Sequence, residues 1–231
     1  GITYTLHTGG DFAGFETDIY TNIWDWDMVI FANDNYWPLT STLQALSNYV
    51  NWYGKPTIVH TWAMGYSLTS TLWTDMGVSF ISNDGPPPDP VYWWDDSHPY
   101  FNDPETVPEF TTPVSKTYGV YGQYLEPLPG FQALAGYTTA PAADSAALIV
   151  GNEGRTIFRG FLDGQQDDDL DGDMLADGVE LWIDLIYQTL PEVEYVAATW
   201  DDVSVHLLDG WLRSIRSFSA GATMPNGIAT D

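Results

Sequence analysis

Apolar residues in the first third of the chain form short continuous runs, separated by longer segments with helical spacing. The runs lie at residues 28–32, 57–61 and 78–81, and the first ends in the turn-forming sequence Asn33-Asp34-Asn35. Runs of this length suit strands that are buried on both faces of a sheet. The alternation of strands and helices therefore predicts an α/β fold with a mostly parallel sheet.

Helix boundaries are marked most clearly after the first run. Ser41 and Gln44 have the spacing of a capping box, and Gly54 is a residue type that commonly ends a helix. The apolar stripe of this helix consists of Leu43, Leu46 and Val50. A shorter helix is predicted at residues 69–76. A longer one follows residue 178, with a stripe formed by Val179, Ile183, Ile186 and Leu190.

The helical pattern stops between about residues 83 and 129, where prolines and aromatic residues are frequent. This composition predicts an irregular insertion in the α/β domain. Strands resume at residues 131–137, and a hairpin is predicted around Asn152-Glu153-Gly154. Alternating polar and apolar residues between 193 and 218 predict further strands near the C-terminal end.

These elements predict a chain of two parts. Residues 1–190 form an α/β domain with a three-layer core, and residues 191–231 form a β-rich extension or docking arm. An extended arm can complete the sheet edge of a neighbouring molecule. The other interpretation is a C-terminal hairpin that folds back on its own domain.

Acidic side chains between residues 169 and 180 have the spacing of an EF-hand-type calcium loop. Such a loop offers oxygen ligands at its first, third, fifth, seventh, ninth and twelfth positions, the seventh through a backbone carbonyl. These positions hold Asp169, Asp171, Asp173, Leu175 through its carbonyl, Asp177 and Glu180. The pattern predicts that the chain binds Ca²⁺ as a cofactor.

The sixth position of this loop departs from the pattern, because Met174 stands where a glycine normally makes the sharp turn. An alternative register beginning at Asp167 places Gly172 at the sixth position but Gly178 where the bidentate Glu belongs. We prefer the first register because a missing carboxylate costs more than a replaced turn residue. Without an ion, the same residues would be a solvated acidic loop that caps the following helix.

The Asp-x-Asp-Gly-Asp string at residues 169–173 also resembles the repeats of thrombospondin type 3 and related bacterial surface proteins. In those repeats a glycine after the second Asp is normal. The resemblance therefore accounts for Gly172.

The net charge of the chain limits the classes of partner that it can bind. The 231 residues include 32 acidic and 6 basic side chains, which gives a formal charge of −26. Such a chain is a poor match for nucleic acids and for anionic membranes, but it suits surroundings rich in divalent cations. No apolar run reaches membrane-spanning length. The absence of cysteine excludes disulfides, thiolate metal sites and thiol nucleophiles. The predicted calcium loop and the scarcity of lysine favour an extracellular or cell-surface location.

The order of elements resembles that of class I glutamine amidotransferase-like proteins, which implies a flavodoxin-like three-layer core for residues 1–190. The resemblance rests on the Ile30-Phe31 strand and the helix ending at Gly54, and on the strand-turn-strand-helix segment at 147–190. Active members carry a Gly-x-Cys-x-Gly sequence at a strained turn, with a His-x-Glu pair late in the sheet. Here Ala63 stands at the cysteine position, and neither His98 nor His206 has the His-x-Glu context. We expect no amidotransferase chemistry and a non-enzymatic scaffold.

The aromatic and acidic segment at 92–100 is the second candidate site. Its candidate residues for glycan binding or for an interface are Trp93, Trp94, Asp95, Asp96 and Tyr100. Aromatic faces stack on sugar rings, and paired carboxylates serve as acid and base in glycosidases. The other interpretation is an aromatic loop that packs on the core or on a neighbouring subunit.

The chain has eleven tryptophans, more than one core of this size usually hides. Because aromatic residues are enriched at protein interfaces, we expect self-association into a larger assembly such as a filament. The sequence thus predicts a calcium-binding structural or interaction protein. An extracellular protein that binds or hydrolyses glycans through the 92–100 segment is the alternative.

Overall fold

The computed structural model describes residues 4–33, 37–111, 120–162 and 168–190, and the backbone of three later strands. The helices are α1 (Phe12–Thr21), α2 (Thr40–Tyr53), α3 (Thr71–Asp75) and α4 (Asp177–Thr189). The strands of the main sheet are β1 (Val29–Asn33), β2 (Thr57–Thr61), β3 (Val78–Asp84), β4 (Tyr92–Trp93), β5 (Gly122–Pro127), β6 (Gln132–Gly136), β7 (Ala146–Gly151) and β8 (Thr156–Arg159). A separate antiparallel sheet contains β9 (Ala197–Ala198), β10 (Val205–Leu208) and β11 (Ser214–Phe218).

The main sheet is mixed rather than mostly parallel. Its strands follow the order β1-β2-β8-β7-β5-β3, while β6 pairs with β7 and with β4. β1, β2 and β8 are parallel, and the other neighbours are antiparallel. The third predicted parallel strand, β3, lies at the far edge and pairs with β5. The strand beside β2 is instead the late strand β8, which pairs with it in parallel.

Helices lie on both faces of this sheet, which is the three-layer arrangement expected. Neighbouring residues on one strand enter different cores: Ile58 of β2 packs with α4, whereas Val59 packs with α1, α2 and α3. Ile157 and Phe158 of β8 divide in the same way. Because strand side chains alternate between faces, this division explains why both strands are apolar throughout.

The hairpin around Asn152-Glu153-Gly154 is confirmed. β7 and β8 pair antiparallel, with Val150 opposite Ile157, and the three turn residues have φ values of 50°, 61° and 83°. Left-handed backbone of this kind is tolerated by Asn and favoured by Gly, so the turn sequence matches its conformation.

The C-terminal end of α2 is also as predicted, but its N-terminal cap is not. Gly54 adopts the left-handed conformation with a φ of 59°, and its N–H donates to the carbonyl of Val50 at 3.1 Å. The capping box of Ser41 and Gln44 does not form, because the helix begins at Thr40 and the Ser41 hydroxyl donates to Glu16 of α1 instead. A tertiary contact has replaced the local cap.

The insertion contributes to the core as well as to the surface. Its strand β5 lies between β7 and β3 and buries Leu125 completely. Earlier in the insertion, Trp93 stacks on Phe101 with ring centroids 4.3 Å apart. In the C-terminal part of the chain, β9, β10 and β11 form the separate antiparallel sheet. Most of residues 191–231 lie outside the described structure, so the docking arm stays a prediction.

α1 was not marked by the sequence pattern, and a histidine before it holds it in place. His7 Nδ1 lies 3.0 Å from Asp11 Oδ2, and its Nε2 lies 2.8 Å from Asp18 Oδ2. Burial alone lowers the pKa of His7, but the hydrogen bonds and charges of both carboxylates raise it by more, so the net pKa lies above its ordinary value of 6.5.

This contact predicts a pH-dependent contribution of His7 to stability. A raised pKa means that the contribution is complete below about pH 6.5 and is lost as pH rises through the higher folded-state value. We expect His7→Gln to melt at a lower temperature than the parent chain at pH 5.5. At pH 8.5 the difference between their melting temperatures should be smaller. A deficit of equal size at both pH values would contradict the assignment.

Candidate metal centre

The loop before α4 brings three of the predicted ligands together. Asp169, Asp171 and Asp173 each place a carboxylate oxygen within 4.8 Å of the other two, and all three residues are exposed. Calcium binds oxygens at about 2.3–2.6 Å, so two ligands on opposite sides of one ion lie about 5 Å apart. The three carboxylates are therefore close enough to share one cation.

Backbone amides fold the loop around Asp169. Its Oδ1 accepts hydrogen bonds from the N–H groups of Gly172 at 2.7 Å and Asp173 at 3.1 Å, and its Oδ2 accepts from Met174 at 3.0 Å. The N–H of Leu175 donates to Asp173 Oδ1 at 2.7 Å. These contacts curl the chain so that successive odd-numbered carboxylates face one centre.

The turn at the sixth position is made by Met174 in the conformation normally reserved for glycine. Met174 has a φ of 81°, and its side chain is 93% exposed. Gly172, two residues earlier, also has a positive φ of 84°. The sharp turn thus occurs where the register beginning at Asp169 requires it, without packing contacts that would explain the choice of methionine. Asp167, the start of the alternative register, lies outside the described residues.

A second group of carboxylates contains the twelfth loop position. Glu105, Asp173 and Glu180 place oxygens within 4.8 Å of one another. Glu180 lies in the first turn of α4 and is fully buried, and within the described part of the chain neither of its carboxylate oxygens has a hydrogen-bond partner. Burial, followed by the charges of Asp171, Asp173, Asp177 and Glu105, raises the pKa of Glu180 to about 9.

An unpartnered carboxylate in this position is unfavourable without a cation. Removing a carboxylate from water costs several kcal/mol even after relaxation, unless hydrogen bonds or an opposite charge replace the lost hydration. The N-terminal end of α4 offers only a partial positive charge of about half a unit. A divalent ion next to Glu180 would supply the missing partner for its oxygens and for the neighbouring acidic groups.

Asp177 has a different role from the other predicted ligands. It is buried at the first residue of α4, and its Oδ1 accepts a hydrogen bond from Leu170 N at 3.0 Å. Its own N–H donates to the carbonyl of Asp168 at 2.8 Å. Asp177 therefore fastens the start of the loop to the helix and is in neither carboxylate group, although a ninth-position residue often acts through a water.

Glu105 was not identified from the sequence. It belongs to the insertion, far from the loop along the chain, so no ligand spacing points to it. The structure places it beside α4 because its N–H donates to Asp184 Oδ1 at 3.0 Å. Burial raises the pKa of Asp184 to about 8, with the charge of Glu105 adding to this shift. Only a long-range contact of this kind would have revealed Glu105.

The aromatic segment at 92–100 packs mainly into the core. Trp93 and Tyr100 are buried, with Trp93 Nε1 donating to the carbonyl of Val107 and the Tyr100 hydroxyl donating to that of Gly154. These two rings offer no open face to a sugar. Trp94 and Asp95 are partly exposed and Asp96 is exposed, so glycan binding at this segment stays a prediction without support from the buried rings.

The segment matched to the amidotransferase nucleophile is not strained at the expected residue. Ala63 is buried, has a φ of −93° and a ψ of 9°, and donates its N–H to the Thr61 hydroxyl at 3.1 Å. The backbone there is an ordinary right-handed turn.

Comparison of the chain with protein-family models and with curated proteins finds no match. None of the described helices combines the length and apolar character needed to cross a membrane.

The turn at Met174 leads to a prediction about the loop. A left-handed conformation costs about 1–2 kcal/mol for a residue with a Cβ and little for glycine. Because the side chain is exposed, Met174→Gly should lose no packing and should bind Ca²⁺ several-fold more tightly in calorimetric titration. Met174→Val, whose branched side chain fits this region worst, should bind more weakly. Equal affinities for all three chains would show that the turn does not limit binding.

Proposed function

We propose that this chain is a non-enzymatic, calcium-binding structural protein of an extracellular or cell-surface assembly. The observation that carries the proposal is Glu180, a fully buried carboxylate with no hydrogen-bond partner in the described structure, which lies within 4.8 Å of two other carboxylates. Such a group is costly alone and favourable as a metal ligand.

The chemistry of the donors favours calcium among the common cations. All the candidate ligands offer oxygen, and the chain has no cysteine that would favour zinc or another soft metal. Calcium accepts six to eight oxygens in flexible geometry, whereas magnesium requires a near-ideal octahedron and usually keeps several waters. A loop with several carboxylates and one backbone carbonyl matches the coordination of calcium better than that of magnesium.

Calcium would have two effects on the protein. It would fix the loop against the first turn of α4, because Asp173 and Glu180 would bind the same ion as Asp169 and Asp171. It would also reduce repulsion in a chain with a formal charge of −26. Millimolar calcium outside cells is sufficient for a site of modest affinity, which supports the extracellular part of the proposal.

Thermal melting in calcium and in excess chelator tests the proposal. At a calcium concentration about 100 times the dissociation constant, binding adds about 2.7 kcal/mol, which raises the melting temperature of a chain of this size by roughly 5–10 °C. Glu180→Gln should abolish this rise. The same substitution should leave the melting temperature in chelator close to that of the parent near pH 7, because a pKa of about 9 keeps Glu180 protonated there and the amide is also neutral.

The two effects of Glu180→Gln separate a ligand from a structural residue. A purely structural glutamate would lower the melting temperature in both conditions when replaced. Glu126→Gln, an exposed substitution on β5, removes the same charge away from the loop and should keep the calcium response. A parent chain that melts at the same temperature with and without chelator would overturn the proposal.

Exposed aromatic residues support the self-associating part of the proposal. Trp24 is 75% exposed and Trp52 is 74% exposed, and Trp24 packs edge-on against Tyr53 at the end of α2. Large aromatic side chains that are exposed at neighbouring positions often mark interaction sites, whereas apolar residues exposed singly are normal on protein surfaces. We propose that this surface, formed by Trp24, Trp52 and Tyr53, contacts another copy of the chain.

Light scattering with calcium present tests this surface. The double substitution Trp24→Ser and Trp52→Ser should reduce the average molar mass at a given protein concentration, because burial of these rings drives the contact. Melting at the parent temperature would show that the substituted chain is folded. An unchanged mass, or a parent chain that is monomeric at all concentrations, would contradict the assignment.

A further inference from the structure

We infer that Glu105 is a ligand of the same calcium ion, supplied from the insertion, and that the ion fastens the insertion to α4. This inference rests on the calcium-binding function proposed for the loop. It adds a ligand from outside the twelve-residue pattern. It also assigns the ion a second task, which is to hold two distant parts of the chain together.

The first support is the position of the carboxylates. An oxygen of Glu105 lies within 4.8 Å of oxygens of Asp173 and Glu180, a separation that fits ligands of one calcium ion. Glu180 is fully buried and both of its oxygens lack hydrogen-bond partners in the described structure. Because Asp173 also belongs to the group of Asp169 and Asp171, one ion at this residue would join both groups.

The second support is the way in which residues 103–105 lie along α4. Glu180, Asp184 and Gln188 are spaced four residues apart and therefore lie on one face of the helix. Gln188 Nε2 donates to the carbonyl of Asp103 at 2.8 Å, and Asp184 Oδ1 accepts from the Glu105 N–H at 3.0 Å. The segment thus runs towards the N-terminal end of α4, where the next residue on this face is Glu180.

The third support is that the core holds this segment at both ends. Phe101 stacks on Trp93 before it, and the Val107 N–H donates to the carbonyl of Phe101 at 2.9 Å after it. The indole N–H of Trp93 donates to the Val107 carbonyl at 2.8 Å. Glu105 lies in a short loop between these anchors. Its side chain is therefore placed beside the ion site at little further cost in conformational entropy.

A ligand from the insertion changes what calcium can do. An ion bound only within residues 169–180 closes a short loop, whereas one that also binds Glu105 joins segments far apart in the sequence. Clips that close long loops remove more conformational freedom from the unfolded chain. Calcium would then restrain residues 101–107 of the insertion as well as its own loop. In the chelated protein, Glu105 would lose its link to the loop, and this segment would keep only its anchors in the core and on α4.

Calorimetric titration combined with amide hydrogen exchange tests this inference on the full chain. In the parent, calcium should slow exchange in the loop and also at residues 101–107. Glu105→Gln should still bind calcium, but at least about ten-fold more weakly, as expected for loss of a charged ligand. Calcium should still protect the loop of this variant, while the added protection at 101–107 is lost.

Two further variants separate ligation from simple charge. Glu105→Asp keeps the charge but shortens the side chain by one methylene, so it should lose affinity if Glu105 binds the ion and keep it if Glu105 acts only through its field. Glu126→Gln removes one exposed charge elsewhere and should bind calcium as the parent does. Melting in chelator shows that each variant is folded.

The outcomes distinguish this inference from the function on which it rests. Parent-like affinity and parent-like protection of 101–107 in Glu105→Gln would overturn the role of Glu105 while leaving the calcium loop intact. Two ions per parent chain, one of them lost in Glu105→Gln, would overturn the single shared ion. A parent chain that binds no calcium at all would overturn the proposed function itself.

Discussion

The structure depends most on the burial of the Glu180 carboxylate at the N-terminal end of α4. The same helix supplies Trp182, Ile183 and Ile186 to the core, so its position is fixed by apolar packing. That packing carries Glu180 into a fully buried place among Asp171, Asp173 and Glu105. The apolar packing of one side of the helix thus forces the burial of an acidic side chain among other acidic groups on the opposite side. A bound cation is the simplest solution that these residues allow.

Other features of the molecule follow from the same helix. Asp177 fastens the loop to the first turn of α4. Further along the helix, Asp184 and Gln188 bind residues 103–105 of the insertion. Buried acidic residues therefore serve as connection points between α4, the loop and the insertion. An ion at Glu180 would act where these three parts converge. The stability of the chain and the position of residues 101–107 would then both depend on this one site.

Local features of this fold could be predicted from the sequence, and long-range ones could not. The end of α2 at Gly54 and the turn at residues 152–154 depend on backbone preferences of single residues, which local sequence reveals. The spacing of the acidic residues at 169–173, three of which lie together, is local in the same way. The capping box at Ser41 failed because Glu16, from a different helix, competes for the hydroxyl. The place of β3 at the sheet edge depends on pairing with β5, which no apolar pattern specifies. Glu105 was missed for the same reason, since only the fold brings it to the loop.

The sharpest test of calcium binding at Glu180 is a crystal structure of the chain grown with calcium, with anomalous diffraction to locate the ion. We expect one ion at about 2.3–2.6 Å from oxygens of Asp169, Asp171, Asp173 and Glu180, with Glu105 as a further ligand. An empty loop at millimolar calcium, with the Glu180 carboxylate hydrogen-bonded to protein groups instead, would contradict it.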